Sequence, residues 1–153
     1  MKALELKIPP LLVALLVGVA MWEITSVSPS LDVPLFIREV AAGLLLIAGA
    51  AIAFLCFVAL ISARTTFNSM KPKATSSLVT GGIYSFTRNP MYVSVLLMLI
   101  AWAIFLSSAW ALVGPVAFVL YINQFQIMPE ERALAAMFGT AYAEYKGRVR
   151  RWL

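Results

Sequence analysis

An all-α, polytopic integral membrane fold, with about four transmembrane helices and a cytoplasmic C-terminal helical cap, is the architecture this sequence predicts. Three observations carry that expectation. The 153-residue chain is 62% hydrophobic. Only 12% of it is charged, against roughly 25% in an average soluble domain. Its apolar residues gather in long runs, and the stretch from Asn89 to Pro129 holds 41 residues without one charge. The same composition excludes several chemistries. No histidine is present, which removes imidazole bases, Ser-His triads and His-metal sites. The single cysteine, Cys56, lies in an apolar run and can form neither an internal disulfide nor a Cys-rich metal site. It reads as a small core or lipid-facing residue. The net charge of +5 fits loops facing the cytoplasm. Membrane lipids are therefore expected as partners, and neither nucleic acid nor metal is.

Four apolar segments follow in order. Ile8 to Trp22 is the first and is short for a span of about 20 residues; Pro9 and Pro10 are tolerable at a helix start. A secretory signal peptide is the rival reading, from Lys2, the run Leu11 to Ala20 and the small residues Gly18 and Ala20. Glu5 and the double proline speak against it, and cleavage would leave the remaining topology unchanged. Val40 to Ile61 is the second segment, uncharged and long enough to cross. The uncharged stretch after Asn89 would make a helix of roughly 60 Å, twice the hydrocarbon thickness. It must turn back, and Ser107-Ser108 is the best turn. That gives spans near Met91 to Leu106 and Ala109 to Met128. Gly114-Pro115 is a kink in the last span or a second candidate for the break.

Charge distribution orients these segments. The first loop holds one basic residue, Arg38, against Glu23, Asp32 and Glu39. The second holds Arg64, Lys71, Lys73 and Arg88 and no acid. The tail carries Arg132, Lys146, Arg148, Arg150 and Arg151, and the N-terminal stretch Lys2 and Lys7. The positive-inside rule places both termini and the second loop in the cytoplasm. Short loops and compact length point to a prokaryotic plasma membrane. The one linker-like stretch is Ser62 to Thr80, and no repeat is visible, so residues 1–153 read as a single membrane domain.

Polar chemistry concentrates in two places. "GGIYSFTRNPMY", Gly81 to Tyr92, offers two glycines for close backbone approach, the aromatic faces of Tyr84 and Tyr92, and the cation Arg88. Asn89 is a good N-cap and Pro90 a good N1 residue, so the third span starts there. In the tail, Pro129 suits a helix start, and Glu130 and Glu131 occupy a first turn where the dipole favours acids. Gly139 breaks that helix, Thr140 can cap another, and Tyr142 and Tyr145 share a face. The third and fourth spans form a hairpin. Arg88-Asn89-Pro90 and Glu130-Glu131 therefore meet at its cytoplasmic end, as the rim of a pocket. Residue physics alone also allows a plainer reading. Gly-Gly and Asn-Pro serve as loop and cap, the tyrosines as interfacial anchors, Arg88 as a lipid-phosphate ligand and the glutamates as dipole complements.

At these residues the sequence resembles the isoprenylcysteine carboxyl methyltransferases and the related phospholipid methyltransferases. The match runs from about Ser76 to the C-terminus, in the blocks "LVTGGIYSFTRNPMYVS" and "EERALAAMFGTAYAEYKGRV". The resemblance implies an integral membrane enzyme that uses S-adenosylmethionine, with its cofactor site in residues 76–153. It implies that Leu78 and Val79 line that site and that Tyr84 binds the cofactor. Arg88, Asn89, Pro90 and Tyr92 correspond to the family's Arg-(His/Asn)-Pro-x-Tyr element, which approaches the cofactor. Glu130 corresponds to the glutamate near the cofactor's charged amino-acid end. Two positions depart from the eukaryotic enzymes. Ser76 stands where they have histidine, and Gln126 where they have an arginine for the substrate carboxylate. A neutral amide cannot supply that attraction.

Methyl transfer from a sulfonium needs a nucleophile aligned about 3 Å from the methyl carbon. A carboxylate acceptor needs no general base, which suits a chain without histidine, and carboxyl O-methylation is the expected reaction. An amine or hydroxyl would need a proton acceptor, and Glu130 and Glu131 are the candidates. Arg88, Glu130 and Glu131 form the expected catalytic set, and the acceptor is a lipophilic molecule or lipidated group entering from the bilayer. Two other functions fit the same outline. A membrane reductase would bind NADPH through Arg148, Arg150 and Arg151. A helical scaffold or lipid-binding protein would bind no cofactor.

Overall fold

The computed structural model describes residues 5–63 and 77–153. Ser76, Arg64, Lys71, Lys73 and most of the Ser62 to Thr80 linker lie outside the described residues. Within them the chain is helical and holds no strand. The main helices are α1 (Pro10–Ser26), α2 (Leu35–Ser62), α3 (Pro90–Leu106), α4 (Val113–Ile122) and α5 (Met128–Arg148).

Two helical stretches are long and apolar enough to cross a membrane. One is Leu35–Ser62, with a mean hydropathy of 3.0; the other is the continuous run Ala109–Arg148, at 1.5. Helices α1 and α3 have 17 residues each. Each is therefore about 25 Å long, slightly under the roughly 30 Å of a hydrocarbon core. Helix α2 touches the bundle along one narrow stripe. Its buried residues are Ala42, Gly49 and Cys56, spaced by seven, and they face α3. Small residues at that spacing let two backbones approach. The rest of α2 presents Phe36, Leu44, Ile47 and Phe54 outward. An apolar face of that extent is rare on a soluble monomer and ordinary in lipid.

The turns decide which segments meet. Ser107 takes a left-handed conformation (φ 53°) and ends α3, so the Ser107-Ser108 turn stands where the sequence placed it. The Leu31 N–H donates to the Ser107 carbonyl at 2.6 Å, and Ser107 Oγ donates to the Leu31 carbonyl at 2.9 Å. Arg38, just inside α2, donates to the Phe105 carbonyl at the end of α3 through Nε at 2.9 Å. Those bonds seal one end of the bundle. They also explain why α2 begins at Leu35 and takes in Arg38 and Glu39, which the sequence reading left in a loop.

At the opposite end the expected layout changes in one respect. The tail helix does not start afresh at Pro129. Helix α4 runs through a π-turn, Asn123–Ile127, directly into α5. Gly114-Pro115 introduces no break either; Gly114 lies inside α4 with Met21 of α1 packed where a side chain would stand. Pro129 lacks the N–H that an α-helix would direct at the Phe125 carbonyl. That carbonyl instead accepts the Leu6 N–H at 3.0 Å, and the Gln126 amide donates to the Ile8 carbonyl at 2.7 Å. The proline and the π-turn thus free polar groups that pin residues 6–8 to this end. Gly139 breaks α5 as expected, at φ 50° and ψ −120°. Beyond that bend Tyr145 reaches the 3₁₀ turn ahead of α3, and Tyr142 lies beside Arg88 and Glu131.

Candidate functional site

The site is built where the N-terminus of α3 meets the first turn of α5. Residues 82–85 form a 3₁₀ turn, Gly82–Ser85, that aims Tyr84 inward. Both Tyr84 and Tyr92 are interior, with Tyr92 only 1% exposed. They are therefore not on the rim that the sequence suggested. Tyr92 Oη donates to Glu130 Oε1 at 2.7 Å, across 38 residues of sequence. Tyr145 Oη donates to the Tyr84 carbonyl at 2.7 Å, and the Tyr84 hydroxyl lies 3.1 Å from Cys56 Sγ. Burial pushes the Tyr84 phenol well above its ordinary range, with Cys56, Tyr145 and Glu130 adding to the shift. Its hydroxyl is neutral at any physiological pH.

A second cluster lies beside the first. Glu131 accepts two bonds from Arg151, from Nε at 3.1 Å and Nη2 at 2.8 Å. Arg88 Nη2 approaches the same carboxylate at 3.2 Å. The Glu131 bonds raise the Arg151 pKa further, so that guanidinium is permanently charged. The Arg88 side chain is only 9% exposed, and its Nε and Nη1 have no hydrogen-bond partner. Buried donors of that kind cost about 1–3 kcal/mol each when unmet. Adjacent residues of one helix point about 100° apart. Glu131 thus turns to the two arginines while Glu130 turns to Tyr92. The result sets the Arg88–Glu131–Arg151 cluster on one side of this turn and the Tyr92–Glu130 bond on the other.

Of the residues the sequence singled out, Arg88, Tyr84, Tyr92, Glu130 and Glu131 come together here. Pro90 is buried at the start of α3. Asn89 occupies the N-cap position, but its side chain does not cap. It donates to the Arg151 carbonyl at 2.8 Å, and Thr87 Oγ1 and the Arg88 N–H donate to the Arg151 and Arg150 carbonyls. Leu78 and Val79 are partly buried in the extended stretch leading to the 3₁₀ turn. Three contributors escaped the sequence reading. Arg151, assigned there to phosphate binding or anchoring, is an internal partner of Glu131. Cys56 reaches Tyr84 from α2. Trp152 donates its indole N–H to Asn123 Oδ1 at 3.1 Å, inside the bundle. Only Tyr142 and Tyr145 announced themselves, through their three-residue spacing. Among the described residues no cluster of acids and cysteine is suited to a metal ion.

An apolar helical bundle with Arg88, Glu130 and Glu131 gathered and largely buried at one end is consistent with a membrane protein. Comparison with known proteins sharpens that class. A family model described as phospholipid methyltransferase matches residues 37–141, from α2 through the first part of α5. The chain belongs to that family, and membership implies a membrane methyltransferase. It is also 51% identical over 63 residues to an uncharacterized protein of Haemophilus influenzae. That alignment covers 41% of this chain and the whole of the relative. No solved structure matches.

Proposed function

We propose that the protein transfers a methyl group from S-adenosylmethionine to a lipophilic acceptor at the cytoplasmic face of a prokaryotic plasma membrane. In this reading α1, α2, α3 and the run through α4 cross the bilayer, with both termini cytoplasmic. The observation that carries it is the pair of buried, unpartnered nitrogens on Arg88, set beside the Tyr92–Glu130 pair. An amino-acid end is a zwitterion, and these two poles complement its carboxylate and ammonium. The residues present therefore fit the cofactor.

Arg88 would hold the carboxylate of that end, and Tyr84, Leu78 and Val79 its aromatic portion. When bound, S-adenosylmethionine supplies a methyl group already activated by the sulfonium charge. Glu131 is clamped by two arginines and acts as a positioning residue that sets Arg88. Glu130, held by Tyr92, faces the ammonium of that end. Tyr142 and Tyr145, folded over by the Gly139 bend, exclude water from above. The NADPH alternative loses support from the same geometry, because Arg151 is committed to Glu131.

The test is calorimetry on the purified protein in detergent, with adenosylmethionine and NADPH as titrants. Micromolar adenosylmethionine binding, together with label from a methyl-tritiated donor in the lipid extract, is expected. Binding of NADPH alone would overturn the reading.

A further inference from the structure

The residues that follow α5 are woven into the candidate site. Val149 leaves the helix in an extended conformation. The Arg150 carbonyl then accepts the Arg88 N–H at 3.0 Å. The Arg151 carbonyl accepts the Asn89 amide at 2.8 Å and the Thr87 hydroxyl at 3.2 Å. The Arg151 side chain grips Glu131, and the Trp152 indole donates to Asn123 Oδ1 at 3.1 Å. This tail segment thus fixes the backbone of Arg88 and, through Glu131, its side chain. Asn123 precedes Glu130 on the helical run and stands about 10 Å further into the bundle. The segment therefore runs from the polar end of the bundle toward its apolar zone, and Leu153, which follows Trp152, is exposed.

The outward side of the segment is cationic. Arg148 and Arg150 are exposed, and among the described residues neither forms an ion pair. Phe86, also exposed, lies on the loop whose Arg88 bonds to Arg150. Little acid is at hand to neutralise the two arginines. Of the seven acidic residues, Glu23, Asp32 and Glu39 lie at the other end of the bundle. Glu5 pairs with Arg132, Glu131 with Arg88 and Arg151, and Glu130 bonds to Tyr92. Only Glu144 is left, one turn before Arg148 on α5, and Lys146 adds a further cation beside it. Arginines at a polar boundary, next to exposed apolar side chains, match the phosphate level of an anionic leaflet. A guanidinium takes phosphate oxygens in a two-pronged grip. The exposed Phe86 and Leu153 favour a lipid over a soluble anion, which would cover neither.

We propose that Arg148 and Arg150 bind the phosphate of an anionic phospholipid, and that this lipid holds residues 149–152 against the site. The proposal rests on the membrane orientation given above; the choice of cofactor does not enter it.

The full chain is placed in nanodiscs of phosphatidylcholine, alone or mixed with phosphatidylglycerol. Association of tail-spin-labelled phosphatidylglycerol, relative to phosphatidylcholine, is read by electron paramagnetic resonance. Hydrogen exchange of peptides spanning residues 86–93 and 149–153 is read by mass spectrometry. Phosphatidylglycerol is expected to associate severalfold more and to slow that exchange severalfold, because the Arg88 N–H is bonded to the Arg150 carbonyl. Arg148→Gln/Arg150→Gln should lose most of both effects, with an unchanged melting midpoint in phosphatidylcholine. Lys2→Gln/Lys7→Gln removes the same charge and should keep both. Equal losses in the two double variants would mark diffuse attraction and overturn the site. Lipid selectivity without any change in exchange would overturn the hold on the tail segment. Equal slowing by millimolar inorganic phosphate in phosphatidylcholine discs would overturn the lipid as ligand. Adenosylmethionine titrated into the same discs separates this proposal from the function above. An exchange response to phosphatidylglycerol without donor binding keeps the lipid site and removes the methyltransferase reading.

Discussion

Arg88→Lys tests most directly whether the unmet nitrogens serve a ligand. Lysine keeps the positive charge and can still pair with Glu131, now 3.2 Å from the guanidinium. It cannot present Nε and Nη1 as a fork, and those are the two atoms without a partner. A hydrogen bond involving a charged group contributes about 1.5–3 kcal/mol, and losing one such bond to a carboxylate weakens binding by roughly ten- to hundredfold. Stability should change little, because Glu131 retains its two-pronged contact with Arg151. Calorimetry with adenosylmethionine gives the affinity, and the melting midpoint of the same samples gives the fold. A variant that melts like the parent and binds the donor with unchanged affinity would refute the assignment of Arg88. So would a variant that melts much lower while its folded fraction binds normally, since Arg88 would then be a structural ion-pair partner.

Tyr92→Phe removes only the hydroxyl that donates to buried Glu130. It should destabilise by about 1.5–3 kcal/mol, read from denaturant midpoints, while Phe fills the same space. Gly139→Ala forces a side chain onto φ 50°, ψ −120°. The expected cost is about 1–3 kcal/mol, with faster proteolysis in residues 140–148. Tyr84, whose phenol is raised from 10.0 by burial, should make stability flat through neutral pH. Above about pH 10 only the unfolded state loses that proton, so the midpoint falls, and Tyr84→Phe should lessen the fall.

Much of the layout was legible in the sequence because it follows from local chemistry. Ser107-Ser108 had to turn, since an uncharged run twice the bilayer thickness cannot stay straight. Asn-Pro marked the start of α3, and Gly139 the bend in α5. The spatial neighbourhood of Arg88 and the two glutamates followed from the hairpin alone. What escaped depends on partners distant in sequence. Asn89 reads as a cap, yet its amide is drawn to a carbonyl 62 residues away. Pro129 reads as a helix start, yet the π-turn before it keeps the helix continuous. The carbonyl it leaves unpaired is then met by Leu6. Tyr84 reads as an interfacial anchor until Cys56 and Tyr145 are seen to enclose it. Polar atoms freed by proline or glycine find partners that only the packed bundle reveals.

The buried charges argue for function on energetic grounds. Taking an arginine or a glutamate out of water costs several kcal/mol, and apolar replacements of a buried pair are often as stable or more so. Glu131 already receives two good bonds from Arg151, whose side chain is 35% exposed and cheaper to place. A second guanidinium adds a longer contact, at 3.2 Å, and meets the Tyr142 phenol as well, yet two of its own nitrogens have no partner. Folding alone gives no reason to bury Arg88 there. A bound anion does, because it would satisfy those nitrogens and balance the second cation against a single glutamate. On the other side of this turn Tyr92 holds the Glu130 carboxyl group in place through a 2.7 Å bond across 38 residues.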